Sequence, residues 1–257
     1  MRICFRLGRL SLLLSVGLIA APWLGQAQPV TVNPSGAALE SVALRSNTAA
    51  PARISTSSAP FAAEIQAFRN HDATNRPAED IVEFVGSSTI RLWANVAEDM
   101  APLPVFNRGF GGSKTTDLLY YMDEIVLDYK PRVIVLYCGT NDFDSKSKDG
   151  REVYERTVKF FERVAARLPR TKIVYISCVR CPVRKASWSA MNDLNDRVQH
   201  YMTTHPTISY VDINVAVAGA DGQPREELFE KDRLHFNAAG YRQIRDVVKT
   251  AVQAAYK

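Results

Sequence analysis

Cysteine is scarce in this chain, and its pattern staples nothing. The 257 residues hold four: Cys4, Cys138, Cys178 and Cys181. Cys4 lies in an N-terminal segment that reads as removable, so an odd number stays behind, which excludes a disulfide framework. Cys178-Val-Arg-Cys181 could close one local bridge, leaving Cys138 free. No second cysteine pair and no nearby histidine stands at ligand spacing to complete a zinc site. Nucleotide-loop chemistry of the Walker type is missing too, because no Gly-Lys-Ser/Thr follows the glycine-rich stretch at the required distance. There is no internal repeat. Beyond residue 24 no apolar run approaches the roughly 20 residues that span a bilayer.

Acidic residues are absent from the first 27 positions, where Arg2, Arg6 and Arg9 precede an apolar run over 10–24 and the small-residue end Gly25-Gln26-Ala27. Those three parts make an export signal, with cleavage expected before Gln28 and a periplasmic or secreted destination. The apolar run has 15 residues and contains Pro22, short for a membrane anchor. Formal net charge is +5 for the whole chain, but without the signal 29 basic residues face 27 acidic ones. No nucleic-acid surface is implied by so even a balance. Residues 28–60 are rich in Ala, Ser, Thr, Pro and Val and read as a flexible leader. The folded domain is expected over 61–257, and nothing in the sequence marks an oligomeric state.

From Phe61 onward the pattern becomes regular. Phe61, Ile65 and Phe68 share a helical face. Short β-rich runs then alternate with longer helical ones: strands over 81–85, 103–107, 132–138, 172–177 and 208–213, helices over 89–99, 114–128, 151–168, 188–204 and 237–255. In the 151–168 helix, Val153, Thr157, Phe160, Phe161, Val164 and Leu168 form one apolar stripe. The run Arg132-Val-Ile-Val-Leu-Tyr137 is apolar at nearly every position, as a parallel strand covered on both faces must be. Five such units predict a three-layer α/β/α sandwich around a five-stranded parallel sheet, flavodoxin-like. Ligands bind such sheets at the carboxyl ends of the strands.

Four features stand at those ends. After the first strand comes Gly86-Ser87-Ser88, a tight turn ahead of a helix, where a serine is either an exposed nucleophile or a helix cap. The second strand runs into Asn107-Arg-Gly-Phe-Gly-Gly-Ser113, whose glycines let a ligand approach backbone N–H groups or simply make a loop. The third ends in Cys138-Gly-Thr-Asn141-Asp142; Asn141 is an amide donor there, or an ordinary turn residue. Last comes Asp232-Arg-Leu-His235, a spacing that lets a carboxylate hold one imidazole nitrogen while the other faces a nucleophile. Of the four histidines, His71, His200 and His205 have no comparable acidic partner in a loop.

Taken together, these blocks resemble the SGNH hydrolases, also called GDSL-type lipases and esterases, over residues 61 to 256. Through Gly86-Ser87-Ser88 the chain resembles the branch similar to the platelet-activating-factor acetylhydrolase subunits. The resemblance implies a serine esterase with Ser88 as nucleophile, His235 as base, Asp232 as its orienter, and Ser88, Gly112 and Asn141 as the oxyanion hole. It implies no cofactor and no metal, and a small-molecule, glycan or lipid ester as substrate. Ser87 replaces the family's usual aspartate before the nucleophile, and Ser113 replaces the residue often acidic or amide after the glycine. The Gly-x-Ser-x-Gly elbow of ordinary α/β-hydrolases is not met, since Ile90 stands where its second glycine belongs. Short loops favour an acetyl-type acyl group, and export raises a carbohydrate O-deacetylase as an alternative. Arg180 and Arg184 could meet an anionic group. Two other readings are a thiol–disulfide oxidoreductase using Cys178 and Cys181, and a non-catalytic glycan-binding protein that keeps the fold.

Overall fold

A computed structural model describes residues 59–257 except Ser145 and Lys148; the expected signal over 1–27 and nearly all of the leader over 28–60 lie outside the described residues. Five parallel strands form one sheet: β1 (Val82–Gly86), β2 (Val105–Gly109), β3 (Val133–Tyr137), β4 (Lys172–Ile176) and β5 (Ile208–Val211). Their order is β2-β1-β3-β4-β5, so the chain steps to one side of β1 for β2 and crosses to the other side for β3. The strand order reverses there, opening a crevice at the carboxyl ends of β1 and β3.

Strand β3 explains the layering by itself. Its side chains alternate, and both sets are apolar. Ile134 and Leu136 enter the core shared with α1 (Ala62–Asn75), α4 (Thr115–Met122), α5 (Arg151–Arg167) and α6 (Trp188–Met202). Val133, Val135 and Tyr137 enter the opposite core, against α2 (Ser88–Arg91), α3 (Val96–Met100), α7 (Ile213–Val217) and α8 (Ala238–Tyr256). Every residue of the strand is buried, and each such aliphatic side chain contributes about 1.5–3 kcal/mol. The expected stripe of α5 faces the first core, with Val153, Thr157, Phe160, Phe161 and Val164 buried and Leu168 partly buried beyond the helix end. Among the described residues no helix is long and apolar enough to cross a membrane.

Two expectations need correction. The helix expected over 89–99 is two short ones, α2 and α3, broken where Trp93 turns into the core. Its ring meets Phe84 edge-on at 5.8 Å and its Nε1–H donates to Asp99 at 2.7 Å, contacts that a continuous helix would forfeit. The strand expected to reach residue 213 stops at Val211, because the Asp212 side chain accepts from the Asn214 N–H and caps α7.

One buried carboxyl group stands out on β1. Glu83 is fully buried, opposite Phe106 and Ile134 in the sheet, and neither carboxylate oxygen has a hydrogen-bond partner. Burial pushes its carboxyl well above the usual range, against the pull of Arg108, while nearby Asp72 pushes the same way as burial. Arg108 is itself committed to Asp72, donating to both of its oxygens at 2.6 and 2.5 Å. A carboxyl held protonated in the fold but ionised in the unfolded chain costs stability as pH rises above the unfolded value. Glu83→Gln is therefore expected to stabilise the protein by about 1–3 kcal/mol at pH 7, a gain that vanishes near pH 4. Thermal melts of both proteins at the two pH values check this; equal melting at pH 7 would contradict it.

Candidate active site

The crevice between the β1 and β3 ends is where the four sequence blocks meet. Gly86 closes β1 with φ 143°, and a Cβ there would stand 1.8 Å from the Tyr137 carbonyl oxygen, so only glycine lets the two strands end side by side. The chain is then sewn to both neighbours: the Ser87 N–H donates to the Tyr137 carbonyl at 3.0 Å, and the Phe110 N–H to the Gly86 carbonyl at 3.0 Å. Ser88 follows as the first residue of α2. It is not the cap; Ser87 holds that position and makes no side-chain cap bond. The Ser88 side chain is free for other work.

That side chain meets His235. Ser88 Oγ lies 2.9 Å from His235 Nε2, although 147 positions separate them in the chain. On the far side of the ring, His235 Nδ1 lies 2.6 Å from Asp232 Oδ2. The loop that presents both residues is tightly made. Asp232 Oδ1 accepts the N–H groups of Leu234 and His235 at 2.9 and 3.0 Å, while Arg233 takes a left-handed φ of 59°. The Glu230 N–H donates to the His235 carbonyl, Phe229 bridges Phe236, and Asn237 caps α8 immediately afterwards. Burial works against the Asp232 carboxylate, yet the hydrogen bonds from the His235 ring and the two backbone N–H groups outweigh it and hold its pKa at about 2. It therefore stays ionised wherever a histidine base can work.

The loops after β2 and β3 bring Gly112 and Asn141 together, and the Ser113 hydroxyl next to Gly112 donates to the Gly86 carbonyl at 3.5 Å. A Cβ on Gly112 would lie 3.9 Å from Asn141 Nδ2, so the two residues adjoin. Asn141 donates one amide hydrogen to the Ser113 carbonyl at 3.1 Å, which orients the group and leaves its second hydrogen without a protein acceptor among the described residues. Asp142, the next residue, points away. It accepts from the Thr115 N–H and hydroxyl at 3.0 and 2.7 Å and from Arg156 at 3.2 Å, fastening the turn to α4 and α5. The three other histidines stay outside: His71 lies against Asp72, His205 stacks on Tyr201, and His200 is exposed on α6.

The cysteines have the wrong character for redox exchange. Cys138, Cys178 and Cys181 are all free and buried. Burial pushes the Cys178 thiol up to about 12 and the Cys181 thiol up to about 11, the reverse of an activated thiolate. Arg184 spends a guanidinium N–H on the Phe143 carbonyl at 3.0 Å, tying the loop after β4 to the loop after β3.

Residues 80–243, which include the whole of this constellation, match the model of the GDSL-like Lipase/Acylhydrolase family. The chain belongs to that family. Members of this family are generally hydrolases of carboxylic esters. Among curated relatives, the platelet-activating factor acetylhydrolase IB subunit alpha2 of Rattus norvegicus is 26% identical over 175 residues, covering 65% of this chain and 73% of the relative. The Homo sapiens protein of the same name is 25% identical over the same length. Solved structures share the fold. A GDSL-like lipase from Bacteroides thetaiotaomicron superposes with a TM-score of 0.62 at 20% identity, over 75% of this chain and 98% of that one. An acetyl-xylooligosaccharide esterase from Geobacillus, studied as a variant, gives 0.53 at 17% identity, over 70% and 95%. The five-stranded order of this GDSL-like acylhydrolase matches such neighbours.

Glu64 also reaches the glycine loop, from α1, by accepting the Gly111 N–H. No local pattern announces such a contact, since 47 positions separate the partners.

Proposed function

We propose that this acylhydrolase is an exported serine esterase acting on short-acyl, acetyl-type esters. The observation that carries the reading is the unbroken hydrogen-bonded chain from Ser88 through His235 to Asp232. In this mechanism His235 Nε2 takes the hydroxyl proton as Ser88 Oγ attacks the ester carbonyl. Asp232, ionised, holds the Nδ1–H and stabilises the imidazolium. The carbonyl oxygen becomes an oxyanion facing the N–H groups of Ser88 and Gly112 and the free amide hydrogen of Asn141. His235 then gives its proton to the leaving alcohol, and the acyl-enzyme forms. Water, deprotonated by the same nitrogen, attacks the acyl carbon; the bond to Ser88 Oγ breaks as His235 returns the proton to that oxygen, and the acid leaves. The three oxyanion donors follow the ends of β1, β2 and β3 in one sheet, which keeps them in place as charge develops.

The acyl preference rests on what surrounds the site. The segments after β1 and β5 pass at once into α2 and α7, and those after β3 and β4 are tied to each other through Arg184 and through Ser187, which donates to the Asp144 carbonyl at 2.7 Å. No long apolar insertion is present among the described residues to enclose a fatty chain. On p-nitrophenyl esters, kcat/KM is expected to fall about tenfold or more from acetate to octanoate. A rise with chain length would contradict the short-acyl reading. Carbohydrate O-deacetylation is a second reading, supported by the export expected from residues 1–27 and by the acetyl-xylooligosaccharide esterase among the structural neighbours. Acetate release from acetylated xylo-oligosaccharides, faster than from p-nitrophenyl acetate, would favour it.

A further inference from the structure

Helix α1 precedes the residues that match the family, yet it reaches the loop that carries Gly112. Glu64, in its first turn, accepts the Gly111 N–H through Oε2 at 2.8 Å. The same oxygen lies 4.0 Å from Nε of Arg91, on the helix that Ser88 opens. Phe61 lies over the loop from the same end of α1. A Cβ on Gly111 would come within 2.2 Å of its ring, and the ring meets Phe110 edge-on at 5.4 Å. Phe61 itself takes a φ of 63°, uncommon for a bulky residue. Its neighbour is held from below, where the Tyr121 hydroxyl donates to the Pro60 carbonyl at 2.6 Å. At its other end α1 is anchored by the buried pair of Asp72 with Arg108, one strand position before Gly109.

Geometry makes Gly111 the joint of this loop. Its N–H belongs to one peptide plane and the Gly112 N–H to the next, so the φ and ψ of Gly111 set the angle between them. Glu64 holds the first plane through the Gly111 N–H, and Gly111 takes a left-handed φ of 37°. With the first plane held, the Gly111 dihedrals fix where the second plane points. The Gly112 N–H donates to no protein group among the described residues.

We propose that Glu64 is a positioning residue of the esterase reaction, aiming the Gly112 N–H at the reacting oxygen by holding the Gly111 N–H. The inference rests on the reading of Gly112 as an oxyanion donor. Glu64→Ala is expected to lower kcat on p-nitrophenyl acetate about tenfold with KM changed less than about twofold, because a misaimed donor is lost chiefly in the transition state. Glu64→Gln keeps an oxygen that accepts the same N–H and is expected to retain kcat within about twofold. Arg69→Ala removes an ion pair of α1 with Glu124, away from the loop, and controls for a loosened helix. It is expected to keep wild-type kcat, while hydrogen exchange at the Gly111 amide quickens in Glu64→Ala alone. Should Glu64→Ala fail to fold, Glu64→Asp withdraws the carboxylate by one methylene and should show a smaller loss in kcat, again with KM little changed. Wild-type kcat in that variant, wild-type kcat in Glu64→Ala, or an equal loss in Arg69→Ala would overturn the inference. Ser88→Ala in the same series separates the two levels. Hydrolysis that survives it overturns the site reading as well, whereas Ser88-dependent hydrolysis indifferent to Glu64 overturns this inference only.

Discussion

Replacing Ser88 by alanine is expected to lower kcat by about a millionfold, to the residual rate that oxyanion donors and binding alone sustain. The expectation follows from the division of labour in the crevice. Ser88 Oγ is the atom in contact with His235 Nε2, and the residue is nearly buried, with 6% of its surface exposed. Water entering the alanine variant has no such fixed position and attacks without the entropic advantage of a bound nucleophile. The substitution removes one oxygen and leaves the backbone of α2 intact, so the melting temperature should barely move. A folded Ser88→Ala protein with wild-type kcat on p-nitrophenyl acetate would contradict the assignment.

The second large effect is expected at Asn141. Its amide is fixed by the bond to the Ser113 carbonyl, beside Gly112, before any substrate arrives. A donor held this way costs no reorganisation as the carbonyl oxygen becomes charged, and its removal costs about 2.7–4 kcal/mol in the transition state. Asn141→Ala should therefore reduce kcat by about 100- to 1,000-fold while KM changes little. Losing the bond to Ser113 adds a stability cost of about 1 kcal/mol, small enough to leave the protein folded. Steady-state kinetics beside a thermal melt test this. A KM rise with kcat unchanged would move Asn141 from the oxyanion to substrate binding.

Much of the architecture was legible because it depends on local patterns. The apolar run 133–137 announced a strand covered on both faces, and the stripe from Val153 to Val164 announced a helix on one. The Asp232-x-x-His235 spacing suffices to pair the two side chains, since the turn between them is closed by backbone bonds to the same aspartate. What stayed hidden depends on distant partners. Trp93 breaks its helix only because Phe84 and Asp99 wait for its ring. Nothing local marks Glu83 as buried; that follows only once β2 and β3 pair on either side of β1. Glu64 looks like one more first-turn acid of a helix, and its bond to Gly111 exists only after β2 has brought the glycine loop across.

These long-range contacts also divide the labour between elements. The ends of β1, β2 and β3 lead into Ser88, Gly112 and Asn141, the loop before α8 presents Asp232 and His235, and α1, α4 and α5 hold the glycine loop and the Asn141 turn. Asp142 shows the second role plainly. Burial raises its carboxyl pKa, and the bonds from Thr115 and Arg156 pull the other way. Its worth lies in clamping the turn that ends with Asn141.

The central claim is that Ser88 is an activated nucleophile, and a fluorophosphonate tests it without any assumption about the natural ester. The reagent should add a single phosphonyl group to the wild-type protein, mapped by peptide mass spectrometry to Ser88, and none to Ser88→Ala. An unlabelled but folded wild-type protein, or a label on another residue that persists in Ser88→Ala, would contradict the account.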